Sequence, residues 1–329
     1  MSHELTTNTV TGQIEYAYLR ADGAGWHGLG NPVDNGTDID AWRVAAGMNW
    51  CIKRSKVRYA VDRTGDASAF LELPEQHVLF RSDTKAALGI VSDRYKVVQP
   101  AEVLEFFRDI VKVGGLELSA AGTIYGGKRF WATAKIGEAS PLSIKDSIGG
   151  FLLVSTSADG SSGTEVRRTS VRTVCQNTLA MAMADAKPSV RVTHRSVFDP
   201  SQVKEFMGLN EAAWAAFRHQ IVRLANVPVS AELADVTTAV LLGNGPSDDK
   251  VRLSAGYNKI IDLFNGDGKG AKLDGVFGTA WGYVNAVTEY VDHWTRARTD
   301  ENRFVAAQWG QGADIKNRAL NAMTALLPA

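Results

Sequence analysis

Apolar positions change their period along the chain, and the changes mark out its elements. Between residues 51 and 81 they alternate in β-branched runs, "CIKRSKVRYAV" and "HVLFRSD", which predict extended segments. "AALGIVSDRYKVV" predicts a further strand, broken near Ser92 and Asp93. The period then lengthens. Gln99-Pro100 opens a helix, because proline is tolerated in a first helical turn. Val103, Phe106, Phe107 and Ile110 follow at helical spacing, and Gly114-Gly115 closes it. Upstream, "DIDAWRVAAGMNW" predicts a short helix with Asp38 or Asp40 at its start and Trp42, Val44, Ala45 and Ala46 packed on a sheet. Residues 1 to about 20 read as polar and loosely held, and residues 23 to 38 as a loop punctuated by Gly, Pro and Asn.

Two hairpins come next. "LELSAAGTIYGGKRFWATAKI" turns at Gly126-Gly127, and "SIGGFLLVSTSADGSSGTEVRRTSVRTV" turns at "ADGSSG". From about Cys175 the run "TLAMAMADAK" has helix character. From Asp199, an N-cap followed by Pro200, the pattern is almost wholly helical, with Gly-rich connections at "GNGPSDD" and "NGDGKGAKLDG". The expected fold class is therefore α+β: an antiparallel sheet with hairpins packed on helices over residues 1–198, and a mostly helical region over 199–329. The boundary falls near 196 to 200. No internal repeat or low-complexity tract interrupts this.

Composition adds limits. The chain has 329 residues, 45% hydrophobic and 22% charged, enough apolar material for a sizeable core. The 36 basic and 36 acidic residues cancel, which excludes a polybasic coat but leaves room for a local cluster. Such a cluster exists between Lys128 and Arg195, where ten basic residues face five acidic ones. Two cysteines, Cys51 and Cys175, are too few for a disulfide framework or a zinc cluster. No apolar run reaches the roughly 18 residues of a membrane span, and the first 20 residues lack a signal-peptide core. The expected location is a reducing cytoplasm, with no membrane partner.

Several candidate chemistries fail on their residues. A catalytic cysteine needs a thiolate and a base, but none of the six histidines carries a recognisable signature, and Cys175 reads as a small apolar residue opening a buried helix. Taken as a calcium loop, "NGDGKGAKLDG" places Lys269 at a ligand position and Val276 where Glu is required. Taken as a phosphate loop, it lacks the upstream Gly and the hydroxyl after Gly268-Lys269. No acidic pair is organised by spacing. Hence no catalytic residue, no metal and no cofactor is expected.

The arginines of "TEVRRTSVRTV" are the best candidate chemistry. On a strand, Arg168 and Arg172 share one face and Arg167 the other. Two guanidinium groups then lie about 13 Å apart, from roughly 3.3 Å per residue, about two nucleotide steps along a stretched single strand. Lys128 and Arg129 extend the stripe from the preceding hairpin, with Tyr125, Phe130 and Trp131 among them. Cations for phosphates and rings for bases are what sequence-tolerant single-strand binding uses. The competing reading is a solvated face with ion pairs such as Glu165 to Arg167 above an aromatic core.

"SVRTVCQNTL" (170–179) resembles the signature of a phage- and plasmid-associated family built on an uncharacterised domain, domain of unknown function 932. "WHGLG" (26–30), "AGMNW" (46–50), "VSDRYKVVQPAEVLEFF" (91–107), "GTAWGYVNAVTEYVDH" (278–293) and the final "NRALNAM" resemble it too, over nearly the whole chain. The family offers no settled catalytic residues to carry over. The resemblance implies a phage or mobile-element origin, a location in the cytoplasm of a bacterial host, and work on replicating or recombining DNA. At the level of fold, the order of hairpins, short sheet and helix is similar to Rad52-type and phage single-strand annealing proteins.

Together these give a functional expectation: a non-enzymatic, homo-oligomeric protein, in the annealing proteins often a ring, that binds single-stranded DNA and promotes annealing or recombination. Arg167, Arg168 and Arg172 would contact phosphates, with Lys128, Arg129, Arg191 and Arg195 outside them, and Trp131 and Tyr125 would stack on bases. The alternatives are a metal-dependent nuclease or other phosphate-processing enzyme, marked by clustered acids, and a host-factor-binding protein without nucleic-acid affinity.

Overall fold

A computed structural model describes residues 6–22, 29–61, 70–114, 116–136, 140–143, 146–172, 178–180, 189–192, 210–243 and 245–328. In chain order the elements are β1 (Tyr16–Leu19), β2 (Asn31–Val33), α1 (Ile39–Ala45), β3 (Ile52–Ala60), β4 (Phe70–Arg81), β5 (Ala87–Ser92) and α2 (Pro100–Gly114). Then come β6 (Leu118–Ile124), β7 (Arg129–Lys135), β8 (Ser140–Ser143), β9 (Asp146–Ser157), β10 (Thr164–Arg172), β11 (Thr178–Ala180) and β12 (Ser189–Val192). Helices α3 (Asn210–Leu224), α4 (Ala231–Leu242), α5 (Asp249–Arg252), α6 (Ala255–Asp262), α7 (Ala280–Glu289), α8 (Asp300–Trp309) and α9 (Gln311–Thr324) end the chain. The fold is α+β with a helical C-terminal region, as the hydrophobic periods indicate.

The main sheet runs β11-β10-β9-β7-β6-β1-β2, with β12 also on β10 and β8 also on β9. All its pairs are antiparallel except β1 with β2. Its inner strands are covered on both faces, so β6 is buried at all seven positions. Alternation sorts the residues: Phe130, Ala132, Leu152, Val154 and Val166 enter the large core, while Trp131 and Leu153 join Tyr16 and Ala120 in a smaller cluster on the opposite face. A separate antiparallel sheet, β3-β4-β5, sits beside the main one.

Helices seal the large core. Asp38 caps α1, accepting from Ala41 N–H at 2.7 Å. Trp42 and Ala46 are buried as expected, but Val44 turns to solvent. Val103, Phe106 and Phe107 of α2 are buried. Trp214 of α3 lies over Gly150 of β9 so closely that a Cβ there would come within 2.9 Å of the indole. Every residue of α7 is buried. Within this helical part, buried Lys316 donates to Asp292 at 2.8 Å; burial pulls the ammonium below its ordinary range and the carboxylate opposes it. One apolar core runs from Ala17 of β1 to Met323 of α9. The expected boundary near 196 to 200 lies outside the described residues.

Three expectations are corrected. The first 20 residues are not loose where described: Thr7 bridges Ile14, and β1 inserts between β2 and β6. Tyr16, Ala17 and Leu19 supply its buried positions. The stretch read as loop contains β2, because β1 offers it a free edge. The helix expected from about Cys175 is instead a strand at Thr178–Ala180, paired with Thr169, Ser170 and Val171 of β10. Helix propensity is a weak prior, and an open sheet edge overrides it here. Residues 173–177 and 181–188 lie outside the described residues.

Candidate nucleic-acid interface

The arginine-bearing strand β10 is an inner strand, held by β9 on one side and by β11 and β12 on the other. That position decides what its cations can do. Arg168 sits opposite Leu152, whose side is the large core, and has no exposed surface. Burial alone holds its guanidinium below the ordinary arginine value. Arg167 faces the other way. It pairs with Glu165 at 2.7 Å and donates to the Gln308 carbonyl of α8. Arg168 therefore cannot meet a phosphate in this conformation, and Arg167 is already engaged.

The outer residues of the expected stripe divide similarly. Arg129 is 8% exposed, lies 4.8 Å over the Trp309 ring and donates to Ser162 at 3.1 Å. Trp131 is buried between Tyr16 and Phe304, with ring centroids 6.1 and 6.0 Å away. Tyr125 donates its hydroxyl to Asn302 at 2.6 Å. Lys128 is exposed. The backbones of Arg172 and Arg191 pair with Ile148 and Glu165. Arg195, Cys175 and His194 lie outside the described residues. Among the described residues the structure thus draws Arg129, Trp131 and Arg167 together under α8 and opens no basic groove there. The ion-paired face above an aromatic core is the geometry found.

A different basic segment is open. Lys53, Arg54, Lys56 and Arg58 put four cations into six residues of β3, denser than the three arginines of residues 167–172, and all four are exposed. β5 pairs only with Gln76 to Phe80 of β4, so beyond Gln76 the β3–β4 hairpin is a two-stranded arm. Every residue from Arg58 to Val61 and from Phe70 to Glu75 is exposed. Register jumps between Lys56 and Arg58, where β4 accommodates Pro74 and a left-handed Glu75 (φ 58°).

Arg54, Lys56 and Arg58 recur every second residue, about 6.6 Å along the strand. Lys56 and Arg58 reach one carboxylate: Lys56 Nζ lies 2.6 Å from Glu72 Oε2, and Arg58 Nη2 lies 3.1 Å from Glu72 Oε1. Both cations keep 64% of their side-chain surface in water. The hydrogen bond from Lys56 is the largest influence on the Glu72 carboxyl; desolvation opposes it, but the hydrogen bond from Arg58 and the charges of both cations add to it and hold the group below its ordinary range. Arg54 donates to the Tyr95 carbonyl at the base of the arm. Arg94 and Lys96 are exposed beside it. The rings of Tyr59 and Phe70 are 48% and 55% exposed. By strand alternation Phe70 shares the face of Glu72, and Tyr59 takes the other.

The arm is rooted in a buried polar hub. Arg81, at the end of β4, donates to Glu15 Oε2 at 2.9 Å, to Asp83 Oδ1 at 3.0 Å and to the Gly126 carbonyl at 3.1 Å. Its guanidinium lies 4.2 Å over Trp50. Glu15, fully buried, also accepts from Asn8 at 3.1 Å and from Thr123 of β6. Burial works against the charge on Arg81, but the carboxylates of Asp83 and Glu15 outweigh it and hold its pKa above the usual arginine value. The hub couples the N-terminal segment, the main sheet and the arm. Among the described residues no group of His, Cys, Asp and Glu could hold a metal ion, and no helix is long and apolar enough to cross a membrane.

Residues 87–309, more than half of the chain, match the family described as "Domain of unknown function (DUF932)". The chain belongs to this family. In this DUF932 member the matched span begins at β5, so β3, β4 and the basic row precede it. No curated protein and no solved structure matches the chain at a significant level. Nothing in the sequence reading had singled out β3 as a site. The signal was present: from Cys51 to Val61 the chain holds four basic residues and no acidic one.

Proposed function

We propose that this DUF932 protein binds single-stranded DNA along the projecting β3–β4 arm, the step from which annealing or recombination would follow. One observation carries the reading: an exposed row of Arg54, Lys56 and Arg58 along edge strand β3, which runs from the three-stranded sheet into the two-stranded arm, where the rings of Tyr59 and Phe70 also stand in solvent. Regularly spaced cations hold phosphates, and exposed rings accept unstacked bases without reading their identity. An antiparallel ribbon of this kind is narrow enough for a flexible single strand to wrap. The arm presents its cations to solvent, whereas Arg168 of β10 is buried and Arg167 is paired with Glu165.

The test is fluorescence anisotropy of a labelled single-stranded oligonucleotide at two salt concentrations, with a duplex of the same sequence alongside. The intact protein is expected to prefer the single strand and to lose affinity with salt. Replacing Lys56 and Arg58 together by Ala is expected to weaken binding on the order of tenfold at low salt and to flatten the salt slope by up to about 0.7 per lost contact. Unchanged affinity and slope in that variant would remove the arm from the interface. Absence of binding by the intact protein at low salt would end the reading.

A further inference from the structure

Glu72 occupies a telling place on the arm. One carboxylate oxygen meets Lys56 and the other meets Arg58, at 2.6 and 3.1 Å. A phosphodiester presents two non-bridging oxygens with the same charge and a similar bite, and such oxygens are what lysine and arginine bind through charge-assisted hydrogen bonds. Glu72 lies on β4 directly opposite Arg58, so its backbone is fixed relative to both cations. Lys56 and Arg58 each keep 64% of their side-chain surface in water and Glu72 keeps 40%, and an ion pair between such exposed groups contributes little, so an incoming anion can exchange with it.

We propose that Lys56 and Arg58 form a phosphate-binding site on the arm and that Glu72 is its built-in competitor, which a nucleic-acid phosphate must displace. This rests on the arm being the nucleic-acid interface. The exchange is a swap of anions with no covalent step. The carboxylate turns outward into water, the phosphate takes its two partners, and the two cations keep their positions. Glu72 thereby sets a threshold. A lone phosphate gains little over the tethered carboxylate, whereas a polymer that also engages Arg54 and the exposed rings gains enough to displace it. The site accordingly selects continuous single strands over small phosphates.

The test compares Glu72→Gln with Glu75→Gln. Glu75 is an exposed acid three residues along the same arm, so its replacement removes the same formal charge without freeing Lys56 and Arg58. Binding of a labelled single-stranded DNA oligonucleotide is measured by anisotropy from low to moderate salt. Glu72→Gln is expected to bind roughly fivefold tighter than the unaltered protein, with a salt slope steeper by up to about 0.7 per freed cation. Glu75→Gln is expected to change affinity less than about twofold, because solvent and salt screen it. The gain from Glu72→Gln should vanish when Lys56 and Arg58 are already Ala.

Equal effects of the two acid replacements, or weaker binding by Glu72→Gln, would overturn the competitor role while the intact protein's binding left the arm reading standing. No binding by either the intact protein or Glu72→Gln would overturn both. Binding that emerges only in Glu72→Gln would overturn the arm as the intact protein's interface and, with it, the competitor role.

Discussion

Two antiparallel hairpins of this protein carry short basic runs of similar composition, and their fates are opposite. In β9–β10 the run is part of an inner strand. One arginine, Arg168, is wholly buried, and its neighbour Arg167 is tied to Glu165 and to α8. In β3–β4 the run lies on an edge strand that passes through a register jump after Lys56 into the two-stranded arm, and its cations stay in water. The difference is topological. A strand with neighbours on both edges and helices over both faces has no solvent side, so its charges serve the fold. A two-stranded arm has two solvent sides, and its charges remain available. Two-stranded ribbons are marginal by themselves, which is why the arm needs a strong root.

That root makes the sharpest test of the comparison, because it is a buried arginine on the exposed hairpin's own strand. Replacing Arg81 by Ala would leave Glu15 and Asp83 without their shared cation and Trp50 without its stacking partner. Removing one member of a buried ion pair costs about 3–5 kcal/mol. A fall of that size in the free energy of chemical unfolding is expected. A loss below about 1 kcal/mol would mean that the hub is not what holds the arm's base.

Arg168 and the arm cations should then separate stability from binding. Arg168→Ala removes a long buried side chain and is expected to cost about 2–3 kcal/mol of stability through lost packing, with single-strand affinity unchanged after allowing for the folded fraction. The Lys56 and Arg58 double replacement should do the reverse, changing stability by less than about 1 kcal/mol, since exposed pairs contribute little. If Arg168→Ala weakened single-strand binding while the protein stayed folded, the inner hairpin would return as an interface and the comparison would fail.

The sequence made much of this architecture legible. Both hairpins of the main sheet, their Gly-rich turns and helices α1 and α2 follow from period and caps. So does the helical character of the C-terminal region. What it concealed depends on neighbours distant in the chain. Nothing in "QIEYAYL" says that Glu15 will face Arg81, 66 residues away, and so a polar-looking start became a buried strand. Thr178 to Ala180 has the composition of a helix but met the open edge of β10. The burial of Arg168 and Trp131 was concealed for the same reason. A window of charge reads identically on an inner strand and on an arm, and it favoured residues 128–195 although "KRSKVR" of β3 is denser. The cue that separates them is local. Pro74 interrupts β4 opposite the basic run, and proline is tolerated at sheet edges and bulges, not in inner strands.

The smallest effect concerns the arm's base under acid. Burial alone would raise the Asp83 carboxyl. Hydrogen bonds from Arg81, from the Thr84 N–H and from Asn8, with the charge of Arg81, outweigh it and hold the group well below the ordinary carboxylate range. A depressed folded-state pKa contributes stability that is fully present above the unfolded-state value, near 4 for a carboxylate, and is lost as pH falls from there toward the folded-state pKa. The protein should therefore lose stability as pH drops below about 4, and Asp83→Asn should flatten part of that slope while lowering stability at neutral pH. Melting temperatures across that range for both proteins would check this. Parallel curves would show that Asp83 is not the group through which acid loosens the arm, and would leave the buried Glu15–Arg81 contact as its root. Exposed Glu72 offers the contrast within the same hairpin. Its carboxyl is also held low by cations, yet it stands in water, so Glu72→Gln should change the acid dependence of stability less than Asp83→Asn does, while it alters binding.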